Sequence, residues 1–169
     1  PLVQGDIVDG KAFASLLDEH EITHVIHLAA LLLPQIKPDP PYGTAVNIGG
    51  TVNVLDAAKT RGIQIAYASS AAVYSTADDT DGAVSNDAIG HPVTFYGVHK
   101  QACEGMARIF RHEEQVPSIG IRPFLVHGPG RVNGLTASPT LAMAAAAAGE
   151  DYRMTFGGRT QLQYAPDTA

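Results

Sequence analysis

Short β-branched apolar runs alternate with longer stretches of helical periodicity along this chain, and that alternation constrains its fold more than any other feature. Thr23-His-Val-Ile-His-Leu28, Ile63–Ala68 and Ser118–Phe124 read as strands. Lys11–His20 carries Phe13, Leu16 and Leu17 at helical spacing. Ala45–Thr60 sets Ile48, Val52, Leu55 and Ala58 or Lys59 along one stripe, and Arg61-Gly62 ends it as a glycine cap would. Thr94–Gln115 is a long helix, and Ser138–Ala148 an alanine-rich one closed by Gly149. Strands separated by helices of this length imply βαβ units and an α/β fold with a parallel sheet. Such strands are expected to be buried on both faces, which suits Ile22–Leu28 and Ile63–Ala68. Between these elements, Leu2–Val3 leads into a strand end and turn at Gly5–Asp9, and Pro34–Pro41 reads as a proline-rich loop. Ser75–Gly90 reads as a polar loop, and Gln163–Ala169 carries no convincing element.

Composition removes several classes of function. At 169 residues the chain has the length of about one domain. With 45% apolar and 17% charged residues it can bury a core. Its net charge of −6, without a basic cluster, argues against nucleic acid as a partner. The apolar-rich runs Ile22–Leu33 and Leu141–Ala148 are too short for a membrane span. The single Cys103 rules out an internal disulfide and a cysteine-based zinc site. No secretory signal is visible at Pro1, and the chain reads as cytoplasmic. His24 and His27 resemble a metal pair, but three apart on a strand they face opposite sides, so no metal is expected.

Ligands of open α/β sheets bind at the carboxyl ends of the strands. Ala68-Ser69-Ser70 lies where the second strand runs out, although a serine-rich turn capping the next segment is the ordinary reading of such a sequence. Tyr96 and Lys100 share one face of the long helix. An ammonium near a phenol favours phenolate, which suits a proton exchange with a substrate hydroxyl. The spacing alone is a weak signal.

The combination is stronger. Ser70 within Tyr67-Ala-Ser-Ser-Ala-Ala-Val-Tyr74, followed by Tyr96-Gly-Val-His-Lys100, resembles the signature of the extended short-chain dehydrogenase/reductase family, the NAD-dependent epimerase/dehydratase group. Gly5-Asp-Ile7, His27-Leu-Ala-Ala30, Asn47-Ile-Gly-Gly-Thr51 and Arg122-Pro-Phe-Leu-Val-His-Gly-Pro129 resemble further family segments in the same order. The resemblance implies a Rossmann-like, doubly wound parallel sheet, here incomplete at both ends. It places the whole chain in the central part of the dinucleotide-binding domain, with 131–169 beginning the substrate-binding region. It implies Tyr96 as acid/base, Lys100 as its electrostatic partner on the nicotinamide ribose, Ser70 as holder of the substrate oxygen, and Asn47 as support of a water path to the lysine. It further implies that Asp6, Ile7, Leu28, Ala29, Ala30, Asn47, Ala68, Ser69, Tyr96, Lys100, Pro123 and Phe124 line NAD, and that Ser70, Ala71, Tyr96 and Leu125 meet the substrate. His99 falls where the family accepts many residue types, and Cys103 reads as a small buried residue.

The family's opening G-x-x-G-x-x-G turn has no counterpart here, since Gly5 and Gly10 lack the spacing. The expectation is therefore a piece of a longer protein that binds NAD poorly when isolated. The choice between NAD and NADP stays open, because the residue that selects between them follows the family's second strand. Thr160–Asp167 lacks the arginine that sugar-nucleotide members place there, although Arg159 is close, which leaves room for a smaller sugar-like hydroxy substrate. The implied activity is epimerase, dehydratase or dehydrogenase; a non-catalytic NAD-sensing module and an inactive fragment are the alternatives. The family's habit of pairing through long helices permits a homodimer.

Overall fold

The computed structural model describes residues 1–75, 78, 83–85, 87–134, 136–158 and 160–169. The chain divides into two units, Pro1–Arg122 and Pro123–Ala169. In the first, helix α1 (Gly10–Glu19) starts where the Asp9 carboxylate accepts the Ala12 N–H. Strand β1 (His24–His27) follows, then the short helices α2 (Leu33–Ile36) and α3 (Pro40–Thr44), a π-turn (Ala45–Gly49) and helix α4 (Gly50–Lys59). Strand β2 (Gln64–Ala68), a 3-10 turn (Ala71–Val73), helix α5 (Phe95–Glu113) and strand β3 (Ser118–Ile121) complete it. The strands form a parallel sheet in the order β1-β2-β3, with His27 opposite Tyr67 and Tyr67 opposite Gly120. That register explains Gly120: a β-carbon there would lie 2.4 Å from the Tyr67 ring.

Leu17 of α1, Val54 and Leu55 of α4, Ala107 of α5, and Ile63, Ile65 and Val116 form one buried cluster. Val25 and Phe110 pack against it. Burial of each large aliphatic side chain contributes about 1.5–3 kcal/mol.

The parallel α/β sheet agrees with the sequence, and five local expectations are corrected. The strands are not covered on both faces: Ile26 is 74% and Ile119 63% exposed, on the side opposite the cluster. The proline-rich stretch is helical, because Pro34, Pro40 and Pro41 occupy first-turn positions, where a missing N–H costs nothing. The stripe predicted along Ala45–Thr60 holds at Leu55 and Ala58, both buried, and is out of phase at its start. The π-turn adds a residue to one turn, so Val46, Asn47, Thr51, Val54 and Leu55 are buried while Ile48 and Val52 are half-buried. Leu2–Val3 joins no strand and is exposed. Ser118–Phe124 is not one strand, since β3 stops at Ile121 just before Arg122-Pro123.

The second unit pairs strand β4 (Leu125–His127) in parallel with strand β5 (Leu162–Tyr164). Helix α6 (Ser138–Ala148) lies between them in sequence and helix α7 (Ala165–Thr168) follows, so the segment expected to lack structure supplies two short elements. The Phe124 N–H donates to Gln163 Oε1, and the rings of His127 and Tyr164 lie 5.6 Å apart. Helix α6 ends at Gly149, whose φ of +74° suits a residue without a β-carbon. Among the described residues no helix is long and apolar enough to cross a membrane.

Candidate active site

In the segment Asn47–Thr51, Asn47, Gly50 and Thr51 each have a task. The Asn47 side-chain amide pairs with the backbone of Leu31 as one peptide pairs with another. Its Oδ1 accepts the Leu31 N–H at 2.7 Å, and its Nδ2 donates to the Leu31 carbonyl at 3.0 Å. Asn47 is thereby buried and satisfied, which a polar side chain in a core requires. At Gly50 a β-carbon would lie 2.7 Å from Ile7 Cγ2, so the glycine lets the turn of residues 5–9 close onto α4. Asn53 holds that turn from the same helix by donating to the carbonyls of Ile7 and Val8. The Thr51 hydroxyl donates to the Asn47 carbonyl and meets His27 Nε2 at 3.0 Å. Cys103, buried as expected, also donates its S–H toward Thr51 Oγ1 and the Asn47 carbonyl. His27 is buried here while His24 is exposed. Burial, and secondarily the Lys100 charge, push His27 down to about 4, so it is neutral near pH 7.

Helix α5 brings the tyrosine and lysine to the end of β2. It begins at Thr94, whose hydroxyl accepts the Gly97 N–H. Its first turns press on the 3-10 turn, where a β-carbon at Gly97 would stand 2.1 Å from the Ala72 carbonyl oxygen. Gly90, at φ +90°, makes a similar close approach to the Val73 carbonyl. Ser70 caps that 3-10 turn, its hydroxyl accepting the Ala72 N–H at 3.1 Å, so the ordinary reading of the serine turn also holds. The Lys100 ammonium is buried, with the residue 7% exposed. It donates to the Ala68 carbonyl at 2.6 Å and sits 5.6 Å from the centre of the Tyr96 ring. Burial pushes its pKa down, an effect Cys103 opposes.

A second polar cluster braces this corner, and only a fragment of it was visible in the sequence. The Arg122 guanidinium grips both Glu104 oxygens at 2.7 and 2.6 Å and also donates to the Tyr74 hydroxyl and the Ala88 carbonyl. The Ser69 hydroxyl donates to Glu104. Burial raises the Glu104 carboxyl, but Arg122 and Ser69 outweigh it and the net shift is downward. Ser69 is therefore buried with its hydroxyl proton committed to Glu104. Glu104 stands four residues after Lys100 on the same helix, a spacing that could have pointed to it.

Of the other residues singled out in the sequence, Leu28 and Ala29 are exposed at the end of β1 and Ala30 is half-buried. Asp6 is exposed and its carboxylate accepts the Val8 N–H, with Ile7 half-buried beside it. Ala68 and Ala71 flank Ser69 and Ser70 and are half-buried. Pro123, Phe124 and Leu125 belong to the second unit, where Leu125 is buried in β4. Arg159 lies outside the described residues. Among the described residues no group of three His, Cys, Asp or Glu could hold a metal ion.

The residues suit a dinucleotide. An ammonium carries three donors, and among the described residues only the Ala68 carbonyl accepts one, which leaves hydrogen bonds for ribose hydroxyls. Residues 1–165 match the NAD dependent epimerase/dehydratase family, and the chain belongs to it. UDP-glucuronate 4-epimerase 6 of Arabidopsis thaliana is 34% identical over 132 residues, which cover 76% of this chain and 28% of that protein. The structure is similar to a partial-consensus L-threonine 3-dehydrogenase, with a TM-score of 0.90, 26% identity, and coverage of 99% of this chain and 56% of that one. It is also similar to the holo form of a GalE-like L-threonine dehydrogenase from Cupriavidus necator, with a TM-score of 0.88, 25% identity and coverage of 98% and 55%. The chain thus spans 25–37% of the length of these curated relatives and about half of the solved ones.

Proposed function

We propose that this chain carries the reacting residues of an NAD-dependent enzyme that oxidises a secondary alcohol of a sugar-like substrate and, in an epimerase, returns the hydride to the opposite face. The observation that supports this most is the packing of α5, with Tyr96 and Lys100 on it, directly against the turn that Ser70 caps.

Oxidation of an alcohol removes a proton from oxygen and a hydride from carbon. When bound, the nicotinamide supplies the hydride acceptor that no side chain can provide. The Tyr96 oxygen takes the hydroxyl proton and gives it back on reduction. The Lys100 charge, 5.6 Å from the ring, stabilises the phenolate in between. Ser70 already accepts from the Ala72 N–H, so its own proton is available to the substrate oxygen. Ala68, Leu28, Ala29, Ala30, Asp6 and Ile7 lie along the cofactor in this reading, with Ala71 toward the substrate. The Arabidopsis relative's name supports a sugar nucleotide as the substrate class, and the family's range admits a smaller hydroxy compound.

Tyr96→Phe tests the reading. Turnover is expected to fall by about 100-fold or more while NAD affinity stays within a factor of two. Unchanged turnover removes Tyr96 from the reaction. A second copy of the chain would meet this one on the apolar stripe of α5, where Phe95, Val98, Met106 and Ile109 are exposed. Val98→Glu is then expected to leave a monomer in sedimentation velocity.

A further inference from the structure

His99 lies one residue before Lys100 in a position that the sequence left without a task. The structure buries it, at 3% exposure, between α5 and the elements that carry Asn47 and Thr44. Its two ring nitrogens meet partners of opposite character. The Thr44 hydroxyl donates to the Pro40 carbonyl at 2.8 Å, so toward His99 Nε2, 3.2 Å away, it is an acceptor. On the other side, Asn47 has already committed Oδ1 to the Leu31 N–H and one amide hydrogen to the Leu31 carbonyl. Its second amide hydrogen faces His99 Nδ1 at 3.3 Å. Every donor finds an acceptor in one arrangement only: a neutral imidazole with hydrogen on Nε2 and a lone pair on Nδ1. An amide rotated by 180° would set its oxygen against the Leu31 carbonyl and its NH2 against the Leu31 N–H, so Leu31 and His99 select the same orientation from two sides.

We propose that His99 is a positioning residue for the cofactor: through the Asn47 amide it holds the backbone of Leu31, and with it the segment 28–31 at the end of β1, in the shape that receives the dinucleotide. The inference rests on the NAD-binding reading above, and adds to it a residue that touches neither cofactor nor substrate. It also sets a chemical condition. A second proton on His99 would place an N–H at Nδ1 opposite the Asn47 N–H, two donors face to face, and the clamp on Leu31 would loosen. Burial alone lowers the His99 pKa, with no charged neighbour contributing. The elements against it carry few ionisable groups: none on α2, the π-turn, the 3-10 turn or β3, Tyr42 on α3, and Asp56 and Lys59 on α4. Its own helix carries Tyr96, Lys100 and Cys103 close by.

The test compares NAD binding by the whole protein in three forms across pH 5–8, using calorimetry. An asparagine at this position carries its oxygen where Nδ1 now accepts, but it cannot titrate. His99→Asn is therefore expected to keep the affinity of the unsubstituted protein at pH 7.5 and to show a flatter profile below pH 6.5. His99→Leu, which offers no acceptor, is expected to weaken NAD about tenfold at pH 7.5 with kcat at saturating NAD within about twofold, the consequence of one lost buried hydrogen bond. The unsubstituted protein is expected to lose affinity for NAD as pH falls below 6.5, more steeply than His99→Asn. If both variants bind NAD like the unsubstituted protein at every pH, the role of His99 is overturned while the NAD reading stands. If the unsubstituted protein binds no NAD, the reading itself falls and the inference with it. If His99→Leu fails to fold, the pH profile of His99→Asn decides, and a profile identical to that of the unsubstituted protein overturns the proposal.

Discussion

Helices α5 and α6 are both long regular elements, and they stand for opposite reasons. Helix α5 carries Gly97, His99, Lys100, Cys103 and Ala107 through the interior. A glycine, a histidine and a lysine are poor choices for a buried helix face on propensity alone. Each is there because a neighbour demands it: the Ala72 carbonyl at Gly97, the Asn47 amide at His99, the Ala68 carbonyl at Lys100. Helix α6 buries only Ser138 and Pro139. Alanine, the strongest helix former, holds six of the other nine positions, with a proline in the first turn and a left-handed glycine at the end. The difference teaches that local rules are broken where the chain gathers chemical groups and obeyed where it only needs a rod.

The comparison can be broken most sharply at Gly97. Gly97→Ala places a β-carbon 2.1 Å from the backbone oxygen of Ala72, which cannot move aside as a side chain would. A loss of about 3 kcal/mol in chemical denaturation is expected, and turnover should fall with it because α5 and the Ser70 turn separate. A stable, active Gly97→Ala protein would show that the two elements are not held in register there.

His27 sharpens the comparison through pH. Its folded-state value of about 4 lies below the ordinary 6.5, so between those values the unfolded chain binds the extra proton and the fold does not. Stability from this group is thus complete above about pH 6.5 and declines as pH falls toward 4. The difference in unfolding free energy between pH 7 and pH 4.5 is expected to be roughly 2–3 kcal/mol larger in the native protein than in His27→Gln. Parallel pH profiles for the two proteins would refute the buried neutral imidazole. The smallest effect belongs to α6, where Ala146→Gly at an exposed position should cost about 1 kcal/mol of helix stability and leave turnover unchanged.

Much of the scaffold was legible without coordinates. The boundaries of α6 and the capped start of α5 follow from Gly149 and Thr94, residues whose effect is local. That Tyr96 and Lys100 share one face of α5 was legible from helical spacing, and the cap at Ser70 from its place after a strand. The two short helices at 33–44 were not, because proline breaks a helix from within but begins one readily, and spacing alone does not tell which position it holds. The π-turn was hidden because one added residue shifts the phase of everything before it. The partner of the Ser69 hydroxyl was not legible, because Glu104 stands thirty-five residues away in sequence.

What the order of residues settles here is the succession of strands and helices, since periodicity, caps and breakers act over a few positions. It also settles which side chains have chemistry to offer. What it leaves to folding is the company those side chains keep: Asn47 on the Leu31 backbone, His99 behind Asn47, Arg122 on Glu104, and one uncovered face of the sheet. Those pairings join residues from 16 to 52 positions apart, and hydrogen bonds reach only about 3 Å, so each exists only once the chain has closed on itself.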